Sequence, residues 1–154
     1  MLSAELIFNI ANLFVLPFWL LMIVLPNWQI SRQVMGSYIP FILLALLYVG
    51  LFFSIEITPE TAAALANPKL TDITQLFSDN RAAATGWVHF LVMDLFVGRW
   101  IYQEGQAKNL ITTHSLILCL FAGPFGLLSH IITAFIQSQL LTKPASANQP
   151  ESLS

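Results

Sequence analysis

The chain has 154 residues, of which 56% are hydrophobic and only 9% are charged, and its formal net charge is −2 at pH 7. An ordinary soluble domain carries about a quarter charged residues, so this composition excludes that class and predicts one integral membrane domain. The six Lys and Arg residues are scattered, which excludes nucleic-acid partners and a polybasic membrane anchor. The single cysteine, Cys119, excludes an internal disulfide.

Two apolar helices are predicted in the first third of the chain. The first runs from about Ala4 to Leu25; it is retained because no basic residue precedes it and no cleavage site follows, and Pro26 ends it. The segment PNWQISRQVMGS is predicted as a polar turn, and the second helix runs from about Tyr38 to Ile57. One face of the first helix carries two amides that we expect to point into the bundle: Asn9, Asn12, Leu16 and Trp19.

The third predicted helix carries charge inside an apolar run. Before it, PETAAALANP and LTDITQLFSDN form a polar connection, predicted equally as short surface helices or as a packed loop. From Ala82 to Tyr102 the helix would span about 31 Å, yet it contains His89, Asp94 and Arg99. A charged residue at the centre of a spanning helix costs roughly 2.5 to 3.5 kcal/mol, so these side chains are expected to face protein.

A fourth apolar segment, from about Thr112 to Leu141, is longer than one span needs, and GPFG between Gly123 and Gly126 is expected to bend or break it. The fold prediction is an all-α integral membrane four-helix bundle over residues 1–142, followed by a disordered polar tail at 143–154. Four spans would place both termini on the same side of the membrane. One face of the fourth segment is a stripe of small side chains, where a neighbouring helix or a rod-shaped ligand can approach closely: Ser115, Cys119, Ala122, Gly126, Ser129 and Thr133.

Counting depth along the four predicted spans places the polar residues in two layers, with Asp94 between them near the midplane. On a straight helix His114 and His130 would lie roughly 24 Å apart, which is too far for a shared ion, so no metal site is predicted. The layer towards the termini holds Asn9, Asn12, His89 and His130, and the other layer holds Arg99, Glu104 and His114.

Two blocks, GWVHFLVMDLFVGRWIYQEG at 86–105 and THSLILCLFAGPFGLLSH at 113–130, resemble the family of plant neoxanthin synthase, which is named after abscisic-acid deficiency. Members are small plastid or cyanobacterial membrane proteins, and the plant activity isomerises the epoxycarotenoid violaxanthin to allenic neoxanthin. The chain shows no plastid leader, which suggests a cyanobacterial relative in a thylakoid or plasma membrane. The resemblance implies a carotenoid, or another hydrophobic pigment, as ligand.

The implied reaction needs one proton given to the epoxide oxygen and one removed from carbon, with no redox cofactor. We expect Asp94 to serve as the acid, His89 or His130 as the base, and Arg99 to set the charge balance. Ligand contacts are expected from three aromatic residues, one histidine and one glycine: Trp87, Phe90, Trp100, His114 and Gly126.

Two other functions remain open on the sequence. The first is a non-catalytic pigment-binding or assembly subunit of a photosynthetic membrane complex, acting with that complex or as a homo-oligomer. The second is a purely structural membrane subunit, in which Asp94 and Arg99 neutralise partners on neighbouring helices.

Overall fold

The computed structural model describes residues 3–56 and 58–141, and all regular structure within them is α-helical, as predicted. The predicted tail at 143–154 lies outside the described residues. The helices, in chain order, are α1 (Ala4–Val24), α2 (Gln29–Gly36), α3 (Ile39–Phe52), α4 (Pro59–Ala66), α5 (Leu70–Leu76), α6 (Asn80–Lys108), α7 (Thr113–Phe121) and α8 (Gly123–Leu141).

The longest helix, α6, is central and packs against α1, α3, α7 and α8. Its start is fixed by Asp79, whose carboxylate accepts the backbone N–H groups of Arg81 and Ala82 at 2.9 Å. Its end is fixed by Asn109, which adopts a left-handed conformation (φ 52°) and donates its N–H to the carbonyl of Gly105.

Helix α1 runs in the same direction as α6. Near its start the Phe8 ring lies 5.5 Å from the ring of Trp87, and just past its end the Tyr102 hydroxyl donates to the carbonyl of Pro26 at 2.8 Å. Between these points a Cβ on Gly98 would lie 2.6 Å from ring carbons of Trp19, so glycine there allows the two helices to approach closely. Trp19 is 3% exposed and forms part of the main core.

The predicted polar turn after α1 is wrong, because it folds as the amphipathic helix α2. Ser31 and Met35 are buried on one face while Arg32 and Gln33 are exposed on the other, a pattern too short to stand out in the sequence. Helix α3 follows at an angle of 42° to α2 and ends at Phe52, earlier than predicted. The apolar run therefore begins with a bend.

Helix α3 runs antiparallel to α6. The Phe41 ring lies 5.7 Å from Phe96, and further along α3 the Tyr48 ring lies 5.6 Å from His89. The polar connection that follows forms α4 and α5, so of the two alternatives left open by the sequence, short helices or a packed loop, the structure has the helices. Thr58 caps α4 by accepting the Thr61 N–H at 3.2 Å. Because α5 leads directly into α6, this connection lies at the end of the bundle where α6 begins.

The fourth apolar segment is interrupted as predicted, but it reverses direction instead of continuing. Hydrogen bonds between the two arms show the reversal: His114 Nε2 lies 2.9 Å from Thr133 Oγ1, and Ser115 Oγ lies 3.0 Å from Ser129 Oγ. Ala122, extended at φ −161° and ψ 102°, forms the tip. Helices α7 and α8 are therefore an antiparallel hairpin, and the predicted fourth spanning helix is wrong.

The stripe of small residues explains the tightness of this hairpin. A Cβ on Gly126 would meet the backbone N and Cα of Cys119, so only glycine allows the two arms to come this close. The stripe was predicted to receive a separate helix or a ligand, whereas its two halves pack against each other. Pro124 supports the turn because it has no N–H to satisfy in the first turn of α8.

The hairpin also changes where the chain goes next. Gln137 Nε2 of α8 donates to the carbonyl of Asn109, just past the end of α6, at 3.2 Å. Helix α8 therefore runs alongside α6 to the end of the bundle where α6 stops. The expectation that the fourth helix returns to the end where α1 begins is wrong for the described residues.

Among the described helices, α1 by itself is long and apolar enough to cross a membrane, and α2 with α3 would make a second crossing if the bent pair acts as one span.

Candidate functional site

A groove of about 370 Å³ lies between α1, α6 and the tip of the hairpin, and it is open on one side. All four residues on the predicted polar face of α1 line it, but Asn9 and Leu16 are exposed and only Trp19 is fully buried, so the expectation that this face points into the bundle is wrong for most of its length. The lining consists of two amides, one carboxylate, two indoles and aliphatic side chains: Asn9, Asn12, Leu13, Val15, Leu16, Trp19, Trp87, Leu91, Asp94 and Leu120.

Asp94 lies at the inner end of this groove, where α8 begins. Its side chain accepts a hydrogen bond from the backbone N–H of Gly123, the first residue of α8. A Cβ on Gly123 would overlap Oδ1 of Asp94, so glycine makes room for the carboxylate. The Cys119 thiol approaches the Asp94 carbonyl at 3.4 Å and ties α7 to the same point of α6.

The N-terminal turn of α8 provides both a hydrogen-bond donor and a favourable helix dipole for the Asp94 carboxylate. Phe125 and Gly126 donate their N–H groups to the carbonyl of Ala122, and proline occupies the position between Gly123 and Phe125. The Gly123 N–H is then the donor left for Asp94, and the positive end of the α8 dipole favours a negative charge beside it. Asp94 therefore both caps α8 and presents a carboxylate to the groove.

Hydrogen bonds within the groove hold the Asn12 amide and the Trp87 indole in place. Trp87 Nε1 donates to Asn12 Oδ1 at 2.9 Å, and Asn12 Nδ2 donates to the carbonyl of Phe8 at 2.8 Å. These bonds fix the orientation of the Asn12 amide. Asn9 lines the same wall one helical turn away. Hydrogen-bonding groups thus line the groove on both the α1 and the α6 side.

The structure does not bring the predicted histidines to Asp94. The His89 ring packs against Tyr48 of α3, on another side of α6. His130 is fully buried in α8, where its Nε2 lies 2.9 Å from Glu104 Oε2 and its ring meets Trp100 edge to face at 5.1 Å. The predicted polar layer that grouped His130 with Asn9 is therefore wrong, because α8 runs in the opposite direction to the predicted fourth helix.

Arg99 has a different partner from the predicted ones. Its Nε donates to the carbonyl of Met35 at 2.6 Å and its Nη2 to that of Gly36 at 3.3 Å, at the C-terminal end of α2. Its guanidinium lies 4.4 Å from the ring centre of Tyr38. The positive charge therefore meets carbonyl groups at a helix C-terminus, where the helix dipole favours a cation. Arg99 holds α2 and the start of α3 against α6.

Of the residues predicted to contact a ligand, Trp87 lines the groove. Phe90 is 56% exposed next to His89, and Trp100 contacts His130. The other two lie inside the hairpin: His114 bonds to Thr133, and Gly126 packs on Cys119. Within residues 3–56 and 58–141, no group of three or more His, Cys, Asp or Glu side chains could hold a metal ion.

Asn9 and Asn12 line the groove but were not predicted from the sequence as ligand-binding residues. Their helical spacing with Trp19 placed them on the predicted inward face of α1, but it assigned them to helix contacts and not to a ligand. The signal that would have found the site is the coincidence of this face with Trp87 and Asp94, which occupy one face of α6 two turns apart.

These features define an all-helical protein in which a carboxylate, held by a helix break, faces an open apolar groove. The chain belongs to the ABA4-like (ABA DEFICIENT 4-like) family, whose profile matches residues 6–130. It is similar to Protein ABA DEFICIENT 4, chloroplastic, from Arabidopsis thaliana, with 39% identity over 142 residues. That alignment covers 88% of this chain and 64% of the relative, so the chain spans less than two thirds of the relative's length. No solved structure matches this chain.

Proposed function

We propose that this protein is a membrane protein that binds a carotenoid by one end group in the groove beside Asp94. The observation that carries the proposal is the position of this carboxylate, fixed by the Gly123 N–H and lining an otherwise largely apolar groove. Membership of the ABA4-like family supports a carotenoid as the ligand class, because the resemblance of the blocks at 86–105 and 113–130 to neoxanthin synthase implies one.

In the membrane placement that we propose, three crossings are made by α1, by α2 with α3, and by α6. Helix α6, with 29 residues, is about 43 Å long, which exceeds a hydrocarbon core of about 30 Å. Apolar side chains of the other two crossings point outward: Leu13 of α1 is 70% exposed and Leu46 of α3 is 63% exposed. The hairpin enters from one side and ends near the midplane, where Phe121 at its tip is 82% exposed and would contact lipid.

The dimensions of the groove favour an end group over the whole ligand. Small-molecule sites usually measure about 300 to 1,000 Å³, and this groove of about 370 Å³ is near the lower limit. A carotenoid ring fits such a volume, while its polyene can leave through the open side and lie along the exposed aliphatic faces. The Asp94 carboxylate and the Asn9 and Asn12 amides would then bind a hydroxyl or epoxide oxygen on the ring.

A second step of the proposal is isomerisation, which the position of Asp94 favours because it is the one carboxyl group among the lining residues. A protonated Asp94 gives its proton to an epoxide oxygen as a C–O bond breaks, and the resulting carboxylate removes a proton from a polyene carbon. The products are an allenic alcohol and a regenerated carboxylic acid, so atoms and charge balance. One carboxyl group can act as both the acid and the base because the two proton transfers occur one after the other.

The binding proposal is tested by pigment retention. The protein is produced in a carotenoid-containing host, purified in mild detergent, and its absorption spectrum and extracted pigments are measured per chain. We expect stoichiometric carotenoid in the wild type and a loss of about fivefold or more in Asn9→Leu, which removes a polar contact from the groove. Asn27→Leu changes an exposed asparagine outside the groove and should retain the pigment. Equal retention by both variants contradicts the site.

The isomerisation step is tested with Asp94→Asn. Asparagine can accept the Gly123 N–H but cannot carry the proton, so the variant should fold, retain pigment and lose conversion of an added epoxycarotenoid. Full conversion by Asp94→Asn excludes proton transfer there. A wild type that retains pigment without converting it supports a binding function alone.

A further inference from the structure

His130 makes its hydrogen bond through one of its two ring nitrogens. The side chain is fully buried in α8, its Nε2 lies 2.9 Å from Glu104 Oε2, and its Nδ1 has no hydrogen-bond partner within the described part of the chain. A buried N–H group without an acceptor is costly, whereas a bare ring nitrogen costs less. The ring therefore carries its hydrogen on Nε2 and donates it to the Glu104 carboxylate.

Two residues of α6, about one turn apart, hold the His130 ring between them. The carboxylate of Glu104 is itself oriented, because Oε1 accepts a hydrogen bond from Lys108 and Oε2 is left for His130. The ring of Trp100 meets the His130 ring edge to face at 5.1 Å. These contacts fix the height of His130 along α6.

Polar links between α6 and α8 recur along the bundle, since the two helices run side by side in the same direction. The links join Asp94 to Gly123, Glu104 to His130, and Asn109 to Gln137. Their members on α8 follow one another at about two turns and so lie on one face of that helix. The middle link joins two side chains that are 0% and 19% exposed, and a displacement of α8 by one turn, about 5.4 Å, would break it.

We infer that His130 and Glu104 are positioning residues for Asp94. By fixing the height of α8 on α6, they hold the Gly123 N–H against the Asp94 carboxyl group and so orient that group in the groove. Neither residue is among those that line the groove, and roughly 10 Å of α8 separates His130 from Gly123. The inference rests on the proposed function, because it concerns the carboxyl group that faces the bound end group. It replaces the role as base that was predicted for His130.

The Gly123 N–H can be observed by itself. Gly123 is the one glycine in the sequence that follows an alanine, so carbon-13 in the alanine carbonyls and nitrogen-15 in glycine give a single correlation peak for this group. The measurement uses the full chain in detergent, without pigment. The chemical shift and the hydrogen-exchange rate of this proton report its bond to Asp94, and Asp94→Leu supplies the values for the broken bond.

Three substitutions of His130 separate a hydrogen bond from packing. Glutamine carries its amide nitrogen at about the reach of Nε2 and can donate to Glu104, asparagine is one methylene too short, and leucine fills the space without a donor. We expect exchange of the Gly123 proton to be about tenfold faster in His130→Leu and His130→Asn, as the loss of one hydrogen bond to a charged group permits. His130→Gln should stay within about twofold of the wild type. If His130 only packs α8, His130→Leu protects Gly123 at least as well as His130→Gln, and that outcome overturns the inference.

Substitutions of Glu104 guard against a His130 variant that fails to fold. Glu104→Gln keeps an acceptor oxygen for His130 and Glu104→Ala removes it, so exchange of the Gly123 proton should rise about tenfold in Glu104→Ala alone. Gln137→Ala removes the link at the far end of α8 and is the control, with an expected change below about twofold. Unchanged exchange in Glu104→Ala, or an equal rise in Gln137→Ala, overturns the inference.

Pigment measurements distinguish this inference from the proposed function. His130→Leu should retain the carotenoid, because the groove residues are unchanged, and lower kcat for an added epoxycarotenoid about tenfold with KM unchanged. If the wild type retains no carotenoid, the proposed function fails, and the Gly123 proton still decides whether His130 positions Asp94. If the wild type and His130→Leu convert the carotenoid equally, the positioning role is overturned while the proposed function stands.

Discussion

Asp94 and Arg99, one and a half turns apart on α6, each pair with the end of another helix and not with a charged side chain. The carboxylate meets the N-terminal N–H of α8, at Gly123, and the guanidinium meets the C-terminal carbonyls of α2. Each charge matches the sign of the helix dipole it faces. A carboxyl or guanidinium group in a low-dielectric region thus finds its hydrogen-bond partner in the backbone, where a helix ends and leaves groups unpaired, and a carboxyl oxygen can accept such a bond in either protonation state.

The first prediction at the residue scale concerns the stability role of Asp94. Asparagine is as good an N-cap as aspartate and loses only the dipole interaction, so Asp94→Asn should cost at most about 1 kcal/mol of unfolding free energy. Asp94→Leu leaves the Gly123 N–H without its acceptor and should cost about 1 to 3 kcal/mol. Thermal unfolding in detergent measures both. If the two variants lose equal stability, the charge and not the hydrogen bond holds the hairpin.

The second prediction concerns Arg99. Arg99→Leu leaves the Gly36 carbonyl unpaired and should cost about 1 to 3 kcal/mol. Arg99→Lys keeps the charge near the end of α2 but loses the two-point contact and the stacking on Tyr38, so its cost should be intermediate. Arg32→Leu removes an exposed arginine from α2 itself, and its unfolding free energy should stay within about 0.5 kcal/mol of the wild type. A similar loss for Arg32→Leu would show a general charge effect.

At the scale of elements, the hairpin determines the site, because its tip brings the start of α8 to Asp94. Hydropathy cannot reveal such a reversal, since an apolar run scores the same whether it crosses a membrane or turns back within it. The length of the run and GPFG did predict an interruption. The direction after Ala122 depends on how closely the two arms can pack, which small residues such as Gly126 permit but do not require.

The hairpin predicts a disulfide between its arms. In a Cys119→Ala background, Ser115→Cys with Ser129→Cys should oxidise readily, because the native hydroxyl oxygens are 3.0 Å apart. On one continuous helix the same positions would be roughly 21 Å apart and could not bridge. Ser115→Cys with Ser54→Cys is the control pair and should stay reduced. Mass spectrometry of tryptic peptides identifies the bridge, and its absence in the first pair rejects the hairpin.

At the scale of the whole molecule, three proposed crossings and a hairpin place the end of α8 opposite the start of α1. Single cysteines at Gln29, Ala107 and Gln139 should therefore react with an impermeant thiol reagent from one side of the membrane, and a cysteine at Gln75 from the other. The background again carries Cys119→Ala. Labelling of Gln139 together with Gln75 would restore the four-crossing topology and remove the hairpin.

The features of the fold that could be predicted from the sequence are those that depend on the order of apolar, polar and helix-breaking residues along the chain. The first helix with its end before Pro26, the central helix and the interruption at GPFG all follow from hydropathy and helix-breaking residues, and the structure agrees. The predicted pairing of Asp94 with His130 depended on the path of the fourth segment and failed because that segment turned back. His89 is separated from Asp94 for another reason, since it lies on a different face of α6, against Tyr48. Direction and depth are tertiary properties, set by which arms pack together.

The two charges of α6 obtain their partners at different times during synthesis. The α2 carbonyls are made before α6, so Arg99 can dock on Met35 and Gly36 as soon as α6 has been synthesised. Gly123 is made after α6, and until it emerges Asp94 lacks the N–H that holds it in the finished protein. In the proposed membrane placement, a chain released before the hairpin would keep the Asp94 side chain in the bilayer without its backbone partner, at a cost of roughly 2.5 to 3.5 kcal/mol.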